Sequence, residues 1–287
     1  MTNLFKSIFI SVFTMLALAF FLHGITEIIF SGARLTWAGT AVSSLTILAF
    51  FTWLLVGDNA RTSRKLHGWT TLVSLATVVI FLDGTESQTP IYYGAIMLAG
   101  WLAYVFWYSA LNSNAKKLKQ GDVLPEFQLE TFDEKPVNFN APLERPTLFL
   151  FYRGNWCPLC MAQIKEIAEQ YKRIVEKGVN IVLASPQPHR YSRSLAEKFD
   201  APLQFLVDKK NTAARKLGIE QKFGLPAGFQ ILGYKSETVL PTIIIADSQG
   251  KIVYWETSDN YRVRPEPKTF LKVINQLPEL QMSELSS

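Results

Sequence analysis

The only two cysteines in the 287-residue chain, Cys157 and Cys160, stand three positions apart. They lie in Phe149-Leu150-Phe151-Tyr152-Arg153-Gly154-Asn155-Trp156-Cys157-Pro158-Leu159-Cys160-Met161, after an apolar run that reads as a buried strand and before a segment with helical spacing. Thiol–disulfide exchange needs one thiol that is partly ionised at working pH and a second close enough to form or resolve a disulfide. Cysteines in the first turn of a helix meet both needs, because the amino-terminal dipole favours a thiolate and the spacing lets the sulfurs meet. Cys157, nearer the helix start, is read as the exposed nucleophile and Cys160 as the resolving thiol. Pro158 suits that first turn, where a missing amide hydrogen costs little.

Plainer readings of the same residues exist. Two buried structural cysteines could share this spacing by chance. A structural zinc site calls for four ligands, whereas the soluble part offers two cysteines and one histidine, His189, in a polar run that reads as a surface loop. Neither metal nor cofactor is expected. Trp156 suits a core aromatic, although its place beside the first cysteine favours shielding the sulfur and meeting partners. Tyr152 and Asn155 are near by sequence and are given no chemistry.

The elements around the pair form a strand–helix–strand frame. Leu148 to Phe151 is a strand, Leu159 to Lys177 a helix ending at Gly178, and Val179 to Ala184 a second buried strand. A short strand at Val137 to Phe139 precedes them. A helix around Ser192 to Phe199, a strand at Gln204 to Val207 and a helix around Thr212 to Leu217 follow. After the poorly patterned Gly218 to Thr238 come a hairpin, Thr242 to Ala246 with Lys251 to Trp255, and a helix over about Pro267 to Leu277. That order implies an α/β sandwich.

Upstream of Asn112 the composition changes abruptly. Residues 1–114 carry five basic and four acidic side chains, and residues 115–287 carry 24 and 20, so the net +5 is spread thinly through a charged globular part. No dense basic stripe interleaved with aromatics is present, which argues against a nucleic-acid partner. Four apolar stretches, Ile8 to Phe30, Trp37 to Val56, Leu66 to Leu82 and Ile91 to Leu111, are each near the roughly 20 residues that cross a bilayer, the third being the shortest. Aromatics such as Trp37, Trp53, Trp69, Tyr92 and Trp107 mark their ends, as in an interfacial belt. Lys6 followed by Ala17-Leu18-Ala19 resembles a cleavable signal, but the apolar run continues to Phe30, too long for a signal core. His23 and Glu27, near the end of that run, are read as reaching the interface or neighbouring helices.

With four spans, one side holds Lys6, Arg61, Arg64, Lys65, Lys116, Lys117 and Lys119 and the other only Arg34. This bias puts the soluble part on the cytoplasmic face, as in an integral protein of a bacterial-type inner membrane; a changed span count moves it to the external face. The chain is therefore divided into a membrane domain, residues 1–114, and a redox domain, residues 115–287, joined by a polar tether at Asn112 to Gln120.

The opening Gly121-Asp122-Val123-Leu124-Pro125-Glu126-Phe127-Gln128-Leu129, the Trp156 to Cys160 motif on a strand-to-helix turn, Pro241-Thr242 ahead of a strand and the Asp247 to Val253 hairpin together resemble the thioredoxin superfamily. More narrowly they resemble its redoxin or AhpC/TSA peroxiredoxin-like branch with a Cys-x-x-Cys motif, over residues 120–278. The resemblance implies a thioredoxin-like α/β fold behind an all-α membrane region of about four helices. It also implies that Pro241 is a cis-proline beside the disulfide, supported by Thr242, with backbone open to a substrate strand. Phe151 stands where thioredoxins proper keep a buried acid that helps the second cysteine. The peroxiredoxin pattern Pro-x-x-x-Thr-x-x-Cys falls on Cys160 but breaks: Arg153 replaces its proline, Cys157 its threonine, and Pro241 the arginine ahead of the late strand. Arg153 could supply positive charge from a different position. Three readings follow: a membrane-anchored thiol–disulfide oxidoreductase with a thiol electron donor and protein thiols or disulfides as substrates, a peroxidase with Cys160 reacting first on a peroxide, and an inert thioredoxin-like interaction module.

Overall fold

The computed structural model describes residues 2–30, 35–82, 87–111, 118–199, 201 and 203–277. Most of the expected tether, together with Arg34, Lys116 and Lys117 of the charge bias, lies outside the described residues. Four apolar helices come first: α1 (Thr2–Phe30), α2 (Leu35–Val56), α3 (His67–Leu82) and α4 (Thr89–Leu102), the last continuing as a π-helical segment, Ala103–Tyr108. Three of these, and not the expected four, are long and apolar enough to cross a membrane. The correction concerns α3, whose 16 residues reach about 24 Å at 1.5 Å each, short of a hydrocarbon core of about 30 Å. Near the far end of α1, His23 Nδ1 lies 3.0 Å from the Tyr93 hydroxyl, so it faces a neighbouring helix as expected.

The rest is a thioredoxin-like sheet with flanking helices. Its strands are β1 (Phe127–Glu130), β2 (Pro136–Phe139), β3 (Thr147–Phe151), β4 (Asn180–Ser185), β5 (Gln204–Val207), β8 (Thr242–Ala246) and β9 (Ile252–Thr257), in the order β2-β1-β5-β4-β3-β8-β9. Strands β6 (Glu220–Gln221) and β7 (Thr238–Val239) form a small separate ladder in the stretch that the sequence left unpatterned. Strand β3 runs parallel to β4 and antiparallel to β8, and all five of its residues are buried. A central strand covered on both faces needs a continuous apolar run, and Leu148 to Phe151 supplies one. Helix α5 (Pro158–Val175) connects β3 to β4 and buries Ile164, Ile167 and Ile174 along one face. It ends where Gly178 adopts φ +74°, a conformation that favours glycine. Helices α6 (His189–Lys198), α7 (Thr212–Leu217) and α8 (Pro267–Asn275) complete the layers. His189 opens α6 and lies 2.9 Å from Glu130 Oε2, rather than in a free loop.

The two parts are docked. Ser11 on α1 donates to the Ala227 carbonyl at 2.8 Å, and Ala227 N–H donates back to the Ser7 carbonyl at 3.0 Å. Arg262, in the loop after β9, is wholly buried and donates to Ser109 Oγ, Thr62 Oγ1 and the carbonyls of Ser63 and Arg64, all at 2.8–2.9 Å. Arg61 pairs with Glu166, and Lys165 with Asp58 at 2.5 Å. The apolar helices thus form one wall against the sheet part.

Candidate active site

The backbone leaves β3 at Phe151 and turns through Gly154, whose φ is +144°. A Cβ there would lie 2.6 Å from Trp156 Nε1, so glycine lets the indole fold back over the turn. Cys157 caps α5: its φ and ψ are extended, and its carbonyl accepts from the amides of Cys160 at 3.0 Å and Met161 at 3.1 Å. Pro158 occupies the first helical position, and Cys160 the third. Both thiols are free. Neither is exposed, Cys157 being 2% and Cys160 0% accessible, which corrects the picture of Cys157 as an exposed nucleophile. The physical reason is the docking, since α1 and α2 stand over the turn. Cys157 nevertheless lines a cavity, described below, and Cys160 lies behind it.

Arg264, which sequence reasoning missed, is the charged group at the sulfurs. Its Nη2 lies 3.5 Å from Cys160 Sγ and 3.8 Å from Cys157 Sγ, its Nη1 donates to Gln163 Oε1 at 2.9 Å, and its Nε donates to the Tyr261 carbonyl at 3.2 Å. Arg264 is 4% accessible and, among the described residues, has no carboxylate in ion-pair range. A buried guanidinium without a carboxylate needs another anion, and a thiolate is the one within reach. The thiols titrate accordingly. Burial pushes the Cys160 thiol up, but the Cys157 hydrogen bond, the Arg264 charge and the Arg153 backbone amide together bring it down to about 5. Cys157 is pushed well above the ordinary thiol range, first by donating its proton to Cys160 and then by burial. One proton is therefore shared, held by Cys157, with the charge on Cys160.

The other predicted residues take supporting places. Arg153 is buried. Its guanidinium bonds the Gly224 carbonyl and lies 4.8 Å from the Trp156 ring centroid, while its Nε has no partner. Trp156 lines the cavity beside Cys157 and packs on Phe229 at 5.9 Å. Thr242 pairs with Phe151 across the ladder, and its hydroxyl donates to the Leu240 carbonyl at 2.9 Å. Pro241 departs from expectation. The cis peptide among the described residues is Ala141–Pro142, so Leu240–Pro241 is trans. Its backbone is also taken: Leu240 N–H donates to the Ile219 carbonyl at 2.7 Å, and the Pro241 carbonyl accepts from Ser258 N–H at 3.0 Å. The expected docking edge for a substrate strand is thus filled by the chain itself. At Phe151 no acid assists Cys160; the assistance comes from the opposite charge, Arg264.

No three His, Cys, Asp or Glu side chains converge on a metal-binding cluster among the described residues. The signal for Arg264 in the sequence was slight: Tyr261-Arg262-Val263-Arg264 sets two arginines among apolar neighbours, about a hundred residues from the cysteines.

Residues 120–255 match the AhpC/TSA family. Among curated proteins, the chain is 27% identical over 112 residues to chloroplastic peroxiredoxin Q of Gentiana triflora, covering 39% of this chain and 52% of that protein. It is 23% identical over 159 residues to a thiol–disulfide oxidoreductase ResA of Bacillus cereus, covering 55% and 80%. The chain thus spans about half the length of the first of these relatives. Among solved structures it is similar to the peroxidoxin BcpB of Mycobacterium tuberculosis, with 22% identity, a TM-score of 0.46, and coverage of 56% of this chain and 98% of that one.

Proposed function

We propose that this chain, whose residues 120–255 match the AhpC/TSA family, is a membrane-docked oxidoreductase that cycles Cys157 and Cys160 between dithiol and disulfide. The observation that carries the reading is Arg264, buried and within 3.8 Å of both sulfurs with no carboxylate among the described residues to balance it. Cys157 meets the substrate because it lines the cavity. Its proton passes along the hydrogen bond to Cys160 as its sulfur reacts; Cys160, held as a thiolate by Arg264 once that proton leaves, then closes the disulfide. Disulfide formation removes the negative charge and leaves Arg264 uncompensated, so the reduced pair is favoured and the couple is oxidising for a dithiol. Titration of the full chain in a thiol redox buffer, followed by mass, tests the cycle: two thiols should be lost and regained together, and a pair that never closes refutes it.

A second reading, peroxide reduction starting at Cys160, is favoured by the thiolate on that residue. It requires a Cys160→Ser variant to lose fast reaction with peroxide while Cys157→Ser keeps it. The docked side is taken as cytoplasmic although α3 is short of a full span, because the amino end of α1, the α2–α3 loop and Ser109 after α4 all contact the redox domain, so α3 still returns the chain to that side. Lys6 in the first turns of α1 bonds the Ala110 carbonyl, and Arg61 and Arg64 in the α2–α3 loop, which also holds Lys65, pair with Glu166 and Asp259, so these charges lie on the docked side, in line with the positive-inside bias. Protease protection of residues 118–277 in inverted and right-side-out vesicles tests the side.

A further inference from the structure

Between the helices and the redox domain lies a cavity of about 410 Å³. That volume falls within the roughly 300–1,000 Å³ usual for small-molecule sites. One wall is lipid-facing helix: Ile10 and Thr14 on α1, and Leu48, Phe51 and Leu55 on α2. The other wall is redox domain: Arg153, Trp156, Cys157, Phe229 and Tyr261. Leu55 is 68% accessible, so the groove continues onto the surface that acyl chains would cover. Helix α1 is about 44 Å long, some 14 Å more than a hydrocarbon core needs. Its surplus at the amino end carries Ser7 and Ser11 into the redox domain, which leaves Ile10 and Thr14 about where the helix enters lipid.

From this geometry we propose that the groove binds a lipid-soluble quinone, its tail toward α1 and α2 and its ring between the aromatic walls at Cys157, and that the quinone reoxidises the pair. The inference rests on the dithiol reading. Three features select this occupant. Flat aromatic walls from Trp156, Phe229, Tyr261 and Phe51 suit a planar ring, by stacking and edge contacts that an acyl chain does not exploit. The Arg153 Nε is a buried donor without a partner among the described residues, in a residue that lines the groove, and a quinone carbonyl is an acceptor for it. A couple whose reduced form is held by Arg264 also calls for a strong two-electron acceptor. A hydroperoxide would need in-line attack by the thiolate, yet Cys160 does not line the groove.

The balance is complete. The Cys157 S–H bond breaks, the Cys157–Cys160 S–S bond forms, and two electrons pass from the sulfurs to the quinone. The Cys157 proton and one proton from water convert its two carbonyls into the hydroxyls of the quinol.

The test uses the reduced full chain in phosphatidylethanolamine/phosphatidylglycerol nanodiscs under anaerobic conditions, with decylubiquinone as probe. One quinol should form per two thiols lost, with saturation. Leu55→Trp, and separately Thr52→Trp at a second groove-lining position of α2, should raise KM about tenfold or more by filling the groove while kcat changes little, with melting curves confirming that each variant folds. The inference is overturned if no quinol forms while the thiol buffer still closes the pair, which leaves the dithiol reading standing. Oxidation by linoleic acid hydroperoxide without reaction of decylubiquinone overturns it in favour of an acyl-chain substrate. An unchanged KM in both folded variants overturns it too, because the quinone then reacts elsewhere. A pair that no oxidant closes removes the dithiol reading as well.

Discussion

Replacing Arg264 by Met removes the guanidinium while keeping an unbranched side chain of similar reach. Two unit charges 3.5 Å apart interact by about 5 kcal/mol at an effective dielectric of about 20. At 1.36 kcal/mol for each pKa step, and allowing for water that enters the vacated space, the Cys160 pKa should rise by about 3. The sign follows from the charge: without the cation the thiolate is less stable, so the proton is held to higher pH. Starting from about 5, Cys160 would then titrate near 8, and at pH 7 its ionised fraction would fall from nearly all to about a tenth. The reduced state would lose about 3 kcal/mol at that pH, making the couple about 60 mV more reducing. The assay is thiolate absorbance near 240 nm against pH on the full chain in detergent, paired with a redox-buffer titration. Arg264→Lys should recover part of the shift. If the thiolate band of Arg264→Met rises at the same pH as in the parent chain, Arg264 does not hold the thiolate and the site has been read wrongly.

Three further outcomes are expected. Because reduction should take up one proton and leave Cys160 ionised above pH 5, the midpoint potential should fall by about 30 mV per pH step between pH 6 and 8, against about 59 mV if both sulfurs were protonated; potentiometry at several pH values decides. Arg262→Met removes the bonds to Thr62, Ser63, Arg64 and Ser109, at about 0.5–1.5 kcal/mol each, and should lower the melting temperature and raise the Cys160 pKa; an unchanged pKa would show that the two arginines act independently. Gly154→Ala places a methyl 2.6 Å from Trp156 Nε1 at a φ of +144°, so it should displace the indole, red-shift tryptophan emission and slow oxidation of the pair, and an emission spectrum like the parent's would count against that account.

The frame of the site was legible because it depends on local patterns. An apolar run, a Cys-x-x-Cys pair and a helical period place Cys157 at the cap of α5 whatever surrounds them, and the matching strands β3, β4 and β8 follow from their composition. Arg264 was not legible because its role is non-local: it meets Cys160 across 104 positions, from a loop without periodicity, where an arginine reads as a solvated side chain. Pro241 misled for a related reason. The resemblance implied its isomer, but the partners that occupy its surroundings, Ile219 and Ser258, come from the unpatterned stretch and from the loop after β9. The docking also left little trace, since Ser7 and Ser11 look like small polar residues tolerated inside a membrane helix.

These non-local contacts bear on where the active site ends. Arg264 is two residues from Arg262 on one loop, and Arg262 has four hydrogen bonds to Thr62, Ser63, Arg64 and Ser109, all in the amino-terminal helical part. The guanidinium that charges the thiol pair is therefore held in register by the loop between α2 and α3 and by the end of the π-helical segment. The helices do more than tether the domain. They bury the pair so that the charge on Arg264 acts away from bulk water; Ile219 and Ser258 close the edge at which a thioredoxin-like domain would receive a protein strand, and the opening that remains at Cys157 runs between the apolar helices and the sheet domain. If the groove takes a lipid-soluble quinone as proposed, burial by these particular helices trades access for proteins against access for small lipophilic molecules, through the same contacts that set the chemistry of the sulfurs.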